Sequence, residues 1–266
     1  MVRIPSSYDI VGDAIVVELP EGIPKKEEML VAKELMKRHK HVTRVFKKTS
    51  KRIGVFRTRK LKLIAGENKS IVLHKENRCL FKLNLRRVYY SPREQSERLR
   101  VVEALNRYKN FYETVMVFFA GIGCYPILIS KRCNVRRVVG IEINPVAVKY
   151  FRENIELNKT KNCEAVLGDV AEVAGKFYDT CDAVIMPYPE GGYKFLDHAL
   201  RCLKNNGVCL FYAIGEEKNP FGEWKRLIEN TAEKHGCEVE FLHEEEVLPY
   251  APRKWKVRID FRVTRK

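Results

Sequence analysis

The sequence predicts an α/β fold, a parallel sheet covered by helices on both faces, preceded by a small basic α+β domain. From residue 91 onward, short apolar runs alternate with stretches of helical spacing, the rhythm of βαβ units. Before residue 91, strand-like runs outnumber a single helix-like stretch. Residues 1–100 hold 25 Lys/Arg against 11 Asp/Glu, so +14 of the chain's net +16 lies in its first part. The 266 residues are expected to divide into a basic α+β domain over 1–90 and a sheet domain over 91–266.

In the first part DAIVVELP alternates as a strand should, and KEEMLVAKELMKRH has helical spacing. VTRVFKKTS, GVFRTRKLKLIAG and CLFKLNLRRVYY read as further strands. SPREQSERLRVVEALNRYKN is a helix that Ser91 or Pro92 can start, with Leu99, Val102 and Leu105 on one face. VMVFFAGIG is a strand and Gly-rich turn, ILISKRC a helix, RVVGIEIN a strand. Asn144-Pro145 opens the helix PVAVKYFRENIELNK. CEAVLGDV and DAVIMPYP are the third and fourth strands, KFLDHALRCLK a helix and GVCLFYAIG the fifth strand. EVEFLHEEEVLPYAPRKWKVRIDFRVTRK adds two strands around a Pro-containing turn, making a seven-stranded sheet with a C-terminal antiparallel hairpin.

No apolar run is long enough to cross a membrane, and MVRIPSSYDIVGD lacks the apolar segment of a signal peptide. The eight cysteines form no C-x-x-C pair and none stands near a spaced histidine pair, so no metal site is expected. Spread through apolar strands, they read as small buried hydrophobes in a reducing cytosol. From Lys33 to Lys62 there are thirteen basic residues and one acid, Glu34, with Phe46 and Phe56 interleaved. A charge run is ordinarily a solvated face, but one this one-sided suits a polyanion, and nucleic acid is the expected partner. Phosphate contacts bring affinity with little reading of sequence.

FAGIGCYP follows a strand and precedes a helix, so Gly121 and Gly123 let the backbone approach a ligand at a helix N-terminus. Glu142 ends the next strand, where an acid faces a ribose hydroxyl pair in a doubly wound sheet. Asp169, in LGDV, ends the third strand. A dinucleotide site would carry G-x-G-x-x-G, but the third position is Pro126, and no G-x-x-x-x-G-K-[ST] loop exists. One glycine turn, one ribose acid, one further acid and a terminal hairpin fit S-adenosylmethionine better.

With these residues in place, the chain resembles the archaeal and eukaryotic tRNA (guanine-37-N1)-methyltransferases and their wyosine-pathway relatives. SYDIVGD, FRTRKLKLIAGENKS, HKENRCLFKLNL, VYYSPREQSER, FAGIG, EINP and YAPRKW stand in that family's order and spacing. The resemblance covers nearly the whole chain. It implies a class I S-adenosylmethionine-dependent methyltransferase with a Rossmann-like sheet, acting in the cytoplasm on the purine 3′ of the tRNA anticodon. By that resemblance Phe119, Gly121, Gly123, Glu142 and Ile143 bind methionine and ribose, and Asp169 and Val170 hold the adenine. The SPREQSER segment folds over the cofactor, bringing Arg98 near it and Tyr89 against it. Glu97 matches the family's proposed base. Arg57 matches the arginine near the target base, with Arg59 close enough to compete. A tRNA is the implied partner, tRNA(Phe) for the tricycle 4-demethylwyosine, and the protein is expected to be a monomer. The tRNA-elbow domain of longer members is not seen ahead of SYDIVGD, so the basic domain is expected to carry more of the tRNA binding.

VIMPYPEGG departs from longer members, which carry Asn-x-Pro at the end of the fourth strand; here Pro187 takes the Asn position. An edge-strand turn would account for two prolines. The resemblance makes Pro187 and Pro189 a shaped floor for a flat purine or tricycle. The open choice is N1 of guanosine, C7 of 4-demethylwyosine, or both. A carboxylate within hydrogen-bond reach can take the displaced proton, and an arginine on O6 can stabilise the charge that develops there. Two other readings are a 3-amino-3-carboxypropyl transferase of the same pathway and a non-catalytic RNA-binding protein.

Overall fold

The computed structural model describes residues 4–265. Met1, Val2 and Arg3, the start of the stretch read for a leader, lie outside them, as does Lys266. The first elements are β1 (Tyr8–Val11), β2 (Ala14–Val17), α1 (Lys25–Arg38), β3 (Arg44–Lys48) and β4 (Leu61–Gly66). They make a sheet in the order β1-β2-β3-β4, with only β2 and β3 parallel. Helix α1 buries Val31, Ala32 and Leu35 against Ile15, Val17 and Val45. A hairpin of β5 (Ile71–Glu76) and β6 (Cys79–Asn84) follows.

The second part runs α2 (Gln95–Tyr108), β7 (Tyr112–Phe118), α3 (Cys124–Arg132), β8 (Val135–Glu142), α4 (Pro145–Asn158) and β9 (Cys163–Leu167). It continues with α5 (Val170–Val173), β10 (Cys181–Met186), α6 (Leu196–Cys202), β11 (Leu203–Glu216), α7 (Gly222–Lys234), β12 (Cys237–Ala251) and β13 (Lys254–Arg265). The seven strands lie in the order β12-β13-β11-β10-β7-β8-β9. β7 to β11 are parallel, and β13 runs antiparallel between β11 and β12. All six residues of β10 are buried, as a strand covered on both faces requires. The chain winds out from β7 in both directions. That switch opens a crevice at the carboxyl ends of β7, β8 and β10, where ligands bind in such sheets.

The expected Rossmann-like sheet and terminal hairpin are present. Several details differ from what the sequence predicts, among them the short helix α5. β1 and β5 are strands that the sequence does not predict. β5 exposes Ile71 and Leu73 and buries Val72, so its apolar run is split between two faces. β4 starts only at Leu61, because residues 54–57 form a turn closed by an Ile53–Thr58 bridge, with Gly54 and Arg57 in the left-handed region. Leu99 is exposed, and α2 buries Val101, Val102, Ala104 and Leu105 instead. Helix α7, unread in the sequence, seats Ile228 and Ala232 against the sheet.

The stretch 1–90 touches two cores. β1–β4 and α1 enclose one of their own, while Val72, Phe81 and Leu83 of the hairpin join the core beneath α2, α3 and α4. Two asparagines of α4 stitch β6 in place. Asn154 accepts from the Lys82 N–H at 2.7 Å and donates to the Lys82 carbonyl at 3.1 Å. Asn158 does the same for Leu80, at 3.0 and 2.7 Å. Side-chain amides on successive turns thus act as a strand edge for β6. Seven cysteines are buried and Cys133 is half-buried, as small hydrophobes would be. Among the described residues, no helix is long and apolar enough to cross a membrane, and no His/Cys/Asp/Glu group is arranged to hold a metal.

Candidate active site

The turn after β7 is built for close approach. Gly121 has φ +57 and nothing within 4 Å of where a Cβ would stand, so its backbone faces open space. Gly123 has φ +90, and a Cβ there would sit 2.1 Å from the Phe151 ring. One glycine leaves room for a ligand and the other lets α4 pack against the turn. Phe119 holds φ 55, uncommon for a bulky residue, and its ring packs edge-on to Tyr188 and Phe195, each at 5.2 Å.

Glu142 ends β8 with both oxygens engaged. Oε2 accepts from the Gly121 N–H and Oε1 from the Asn144 N–H, each at 2.8 Å. Burial pushes its carboxyl above the usual range, and the N–H groups of Asn144, Gly121 and Ile143 pull it partly back. Asp169 caps α5, its Oδ1 accepting from the Ala171 N–H at 2.8 Å, with Val170 buried beside it. These residues surround a cavity of about 330 Å³, walled by Phe119, Gly121, Glu142, Ile143, Asp169, Val170 and Pro187. That volume is in the range of a small-molecule site.

Arg57 and Tyr89 line this cavity and two neighbours of about 800 and 810 Å³. The Arg57 guanidinium lies between two rings, 4.8 Å from Tyr89 and 5.2 Å from Tyr188, and pairs with Glu190. Arg52 covers the Tyr89 ring at 3.8 Å. Burial lowers the Arg52 pKa, and Arg57 and Arg59 lower it further. Arg59 lines both larger cavities, and its buried Nε has no partner among the described residues. Of the two competing arginines, only Arg57 reaches the smaller cavity. Pro187 walls the smaller cavity, Pro189 the 800 Å³ one, and Tyr188 both.

Two residues of the SPREQSER segment are not brought to this cavity. Arg98 is 3% exposed and forks onto Glu76, with Nε to Oε1 at 2.7 Å and Nη2 to Oε2 at 2.9 Å. It ties α2 to β5. Glu97 is 1% exposed, and its Oε1 accepts from Tyr212 Oη and Arg258 Nη1 while Oε2 accepts from Arg100 Nε. The helix that carries them turns both inward, where buried charges hold them. Glu94 sits nearer, accepting from Tyr89 Oη at 3.1 Å and Lys256 Nζ at 3.0 Å. Burial raises its pKa, but Lys256 and Arg98 outweigh burial and keep it below the usual carboxylate range. The sequence reading also passed over Tyr188, Glu190, Phe195 and Tyr250. Glu190 stands directly after Pro-Tyr-Pro, a signal that was there to be read.

A family model described as the TRM5/TYW2 methyltransferase domain matches residues 72–240, and one described as the TYW2 N-terminal domain matches residues 1–69. The tRNA (guanine(37)-N(1))-methyltransferase Trm5b of Pyrococcus abyssi is 38% identical over 98% of this chain and 76% of its own length. Its crystal structure matches with a TM-score of 0.87. The tRNA(Phe) (4-demethylwyosine(37)-C(7)) aminocarboxypropyltransferase of Methanocaldococcus jannaschii is 33% identical, covering 97% of this chain and 98% of its own. A crystal structure of M. jannaschii TYW2 in complex with AdoMet, S-adenosylmethionine, has a TM-score of 0.76 at 27% identity, over 98% of this chain and 100% of that one. The cavity's open glycine turn, strand-end acid and capping aspartate could hold such a cofactor. On sequence, fold and site together, the chain belongs to the TRM5/TYW2 methyltransferase family.

Proposed function

We propose that the protein methylates the purine at position 37 of tRNA, with N1 of guanosine as its target and S-adenosylmethionine as donor. The observation that carries this reading is the junction at Arg57 and Tyr89, where the cofactor cavity opens onto arginine-lined space large enough for a nucleotide. Glu142 would hold the ribose hydroxyls, Asp169 and Val170 the adenine edge, and the turn at Phe119–Gly123 the methionine end. The cofactor supplies an electrophilic methyl group. The protein orients the base: Tyr188 offers a ring to stack on, and Arg57 an N–H for O6 where charge develops. We place the reaction on the anticodon loop, by a monomer, in the cytoplasm.

Two second readings have specific support. Pro187 and Pro189 present no side-chain hydrogen bond, which suits C7 of the tricycle 4-demethylwyosine, held by shape. The similarity to an aminocarboxypropyltransferase over nearly that whole relative favours transfer of the larger group. Nucleoside mass spectrometry after incubation with tRNA carrying unmodified G37, or 4-demethylwyosine, decides among them. The expected product is guanosine heavier by one methyl. No change to G37 overturns the reading.

Glu142→Ala is expected to weaken S-adenosylmethionine by about 1.5–3 kcal/mol, the scale of a hydrogen bond to a charged group. Calorimetry measures it, and an unchanged dissociation constant would remove Glu142 from the site.

The phosphate contacts fall on fewer residues than the basic run contains. Lys47 pairs with Glu28 at 2.7 Å and Lys48 with Asp9 at 3.2 Å, so neither is free for RNA. Lys51, Arg52 and Arg59 form no ion pair among the described residues and line the larger cavities. Arg52→Gln with Arg59→Gln should flatten the salt dependence of tRNA binding by about 1.5–2 in log–log slope. A slope equal to that of the wild type refutes the assignment.

A further inference from the structure

We infer that the apolar tip of the turn at residues 53–56 packs on the base beside the target in the tRNA loop, with Phe56 as the stacking ring, an inference that rests on the function proposed above. Ile53, Val55 and Phe56 are 49%, 69% and 41% exposed, within four successive residues. Apolar side chains exposed singly are ordinary on a protein surface, whereas a contiguous group marks a contact. Among the described residues, Phe56 joins no apolar core. The exposure is not the slack of a loose loop. The Thr49 N–H donates to the Lys60 carbonyl at 3.0 Å, the Ile53 N–H to the Thr58 carbonyl at 2.8 Å and the Arg57 N–H to the Gly54 carbonyl at 3.0 Å. Ser50 Oγ accepts from the Lys60 N–H at 3.0 Å. These rungs hold the tip in place, so its side chains are presented at little cost in ordering the backbone.

Place and charge name the occupant. Val55 and Phe56 line the cofactor cavity beside Arg57, Gly54 lines the 800 Å³ cavity, and Ile53 lines neither. The turn therefore stands on the divide between the two cavities and reaches past the space the cofactor would fill. No acid stands between Glu34 and Glu67, and Lys51, Arg52, Arg57 and Arg59 flank the tip. Cations beside an exposed ring are the pattern of single-stranded nucleic-acid binding, in which charge meets phosphates and bases stack on aromatic faces.

The reaction supplies the need for such a contact. A base within a nucleic-acid stack cannot be reached at its ring atoms, so an enzyme acting on it draws it out, at the cost of the stacking it loses. The base next to it is then left with one bare face. Phe56 precedes Arg57, the residue set at the target's O6, and covers that face as the target enters the cleft. Ile53 and Val55 extend the apolar surface around the ring. Every base has a π-face, so this contact holds the loop open without choosing its sequence.

A double-mutant cycle on binding of anticodon stem-loops, without cofactor, tests the inference. One loop is intact, one has an abasic residue 5′ of G37 and one has it 3′ of G37. Phe56→Ala should weaken the intact loop by about 5- to 100-fold, the scale of one lost base stack. For the wild type, one of the two abasic loops should be weakened by a similar factor. The variant should bind that loop within about twofold of the wild type, because both changes remove the same contact. Phe56→Trp, which keeps a ring, should bind the intact loop within about threefold of wild type. S-adenosylmethionine affinity of Phe56→Ala should stay within about twofold. Losses that multiply at both abasic positions, or an intact loop bound equally by Phe56→Ala, overturn the inference. A cofactor affinity falling in step with the loop affinity also overturns it, by making the tip a roof over the cofactor. The function proposed above fails separately, when mass spectrometry finds G37 unmethylated by the wild type, a result in which neither the variants nor the abasic loops take part.

Discussion

Replacing Glu97 by alanine is expected to destabilise the fold by about 3–5 kcal/mol, the scale for leaving a buried charge without its partner. Arg258 is 2% exposed and holds Glu97 on one side and Asp260 on the other, while Tyr108 donates to Asp260 at 2.7 Å. Removing Glu97 strips Arg258 and Tyr212 of an acceptor in a place water does not reach. At this size the melting temperature should drop by roughly 2–4 °C per kcal/mol. The chemistry should survive: at a temperature where the variant is folded, its single-turnover rate should remain within about tenfold of wild type. A triple replacement, Glu97→Leu with Arg258→Met and Asp260→Asn, should recover much of the lost stability, since it leaves no buried charge unpaired and the new amide oxygen at position 260 can still accept from Tyr108. Thermal unfolding and single-turnover kinetics on the same preparations check this. A stable Glu97→Ala protein slowed by about 10²–10⁴ would return the base to Glu97.

Arg57→Ala is expected to slow methylation by about 10²–10³-fold, the loss seen when one donor to a developing oxyanion is removed. Arg57 is held by more than charge. Its N–H donates to the Gly54 carbonyl at 3.0 Å, its φ of 51 turns the chain back, and two tyrosine rings flank the guanidinium. The side chain is thus fixed before the base arrives, which is the condition for large electrostatic catalysis. Arg57→Lys should recover little, because an ammonium lacks the planar fork needed to serve O6 and Glu190 together. Single-turnover rates at saturating tRNA measure both variants. Full activity in the lysine variant would show that position 57 supplies only positive charge.

The parts of this molecule legible in the sequence are those whose cause is local. β7, β8 and β10 are short apolar runs because both faces are covered, and the glycine turn and Glu142 follow from where such strands end. Pro187 and Pro189 were visible for the same reason. Illegible parts depend on partners far along the chain. Nothing near Glu97 announces Arg258, 161 residues later. Glu190 meets Arg57 across 133 residues and Tyr250 across 60. The basic run showed its charge but not that Glu28 and Asp9 take up three of its lysines. Helix α7 carries Leu227, Ile228 and Ala232 at helical spacing, a local signal that went unused.

The amides of Asn154 and Asn158 grip β6 because they are four residues apart on one helix. Helix α4 opens at Asn144, whose N–H holds Glu142. Insertion of a single residue between the two asparagines would swing one amide by about 100° around the helix axis and release half the grip. The register of one helix therefore governs the mutual alignment of β6 and of Glu142 at the end of β8. Relatives free to lengthen the loops at 49–60 or 216–221 are expected to keep this interval constant, so that the number of residues in α4 is inherited more faithfully than their identities.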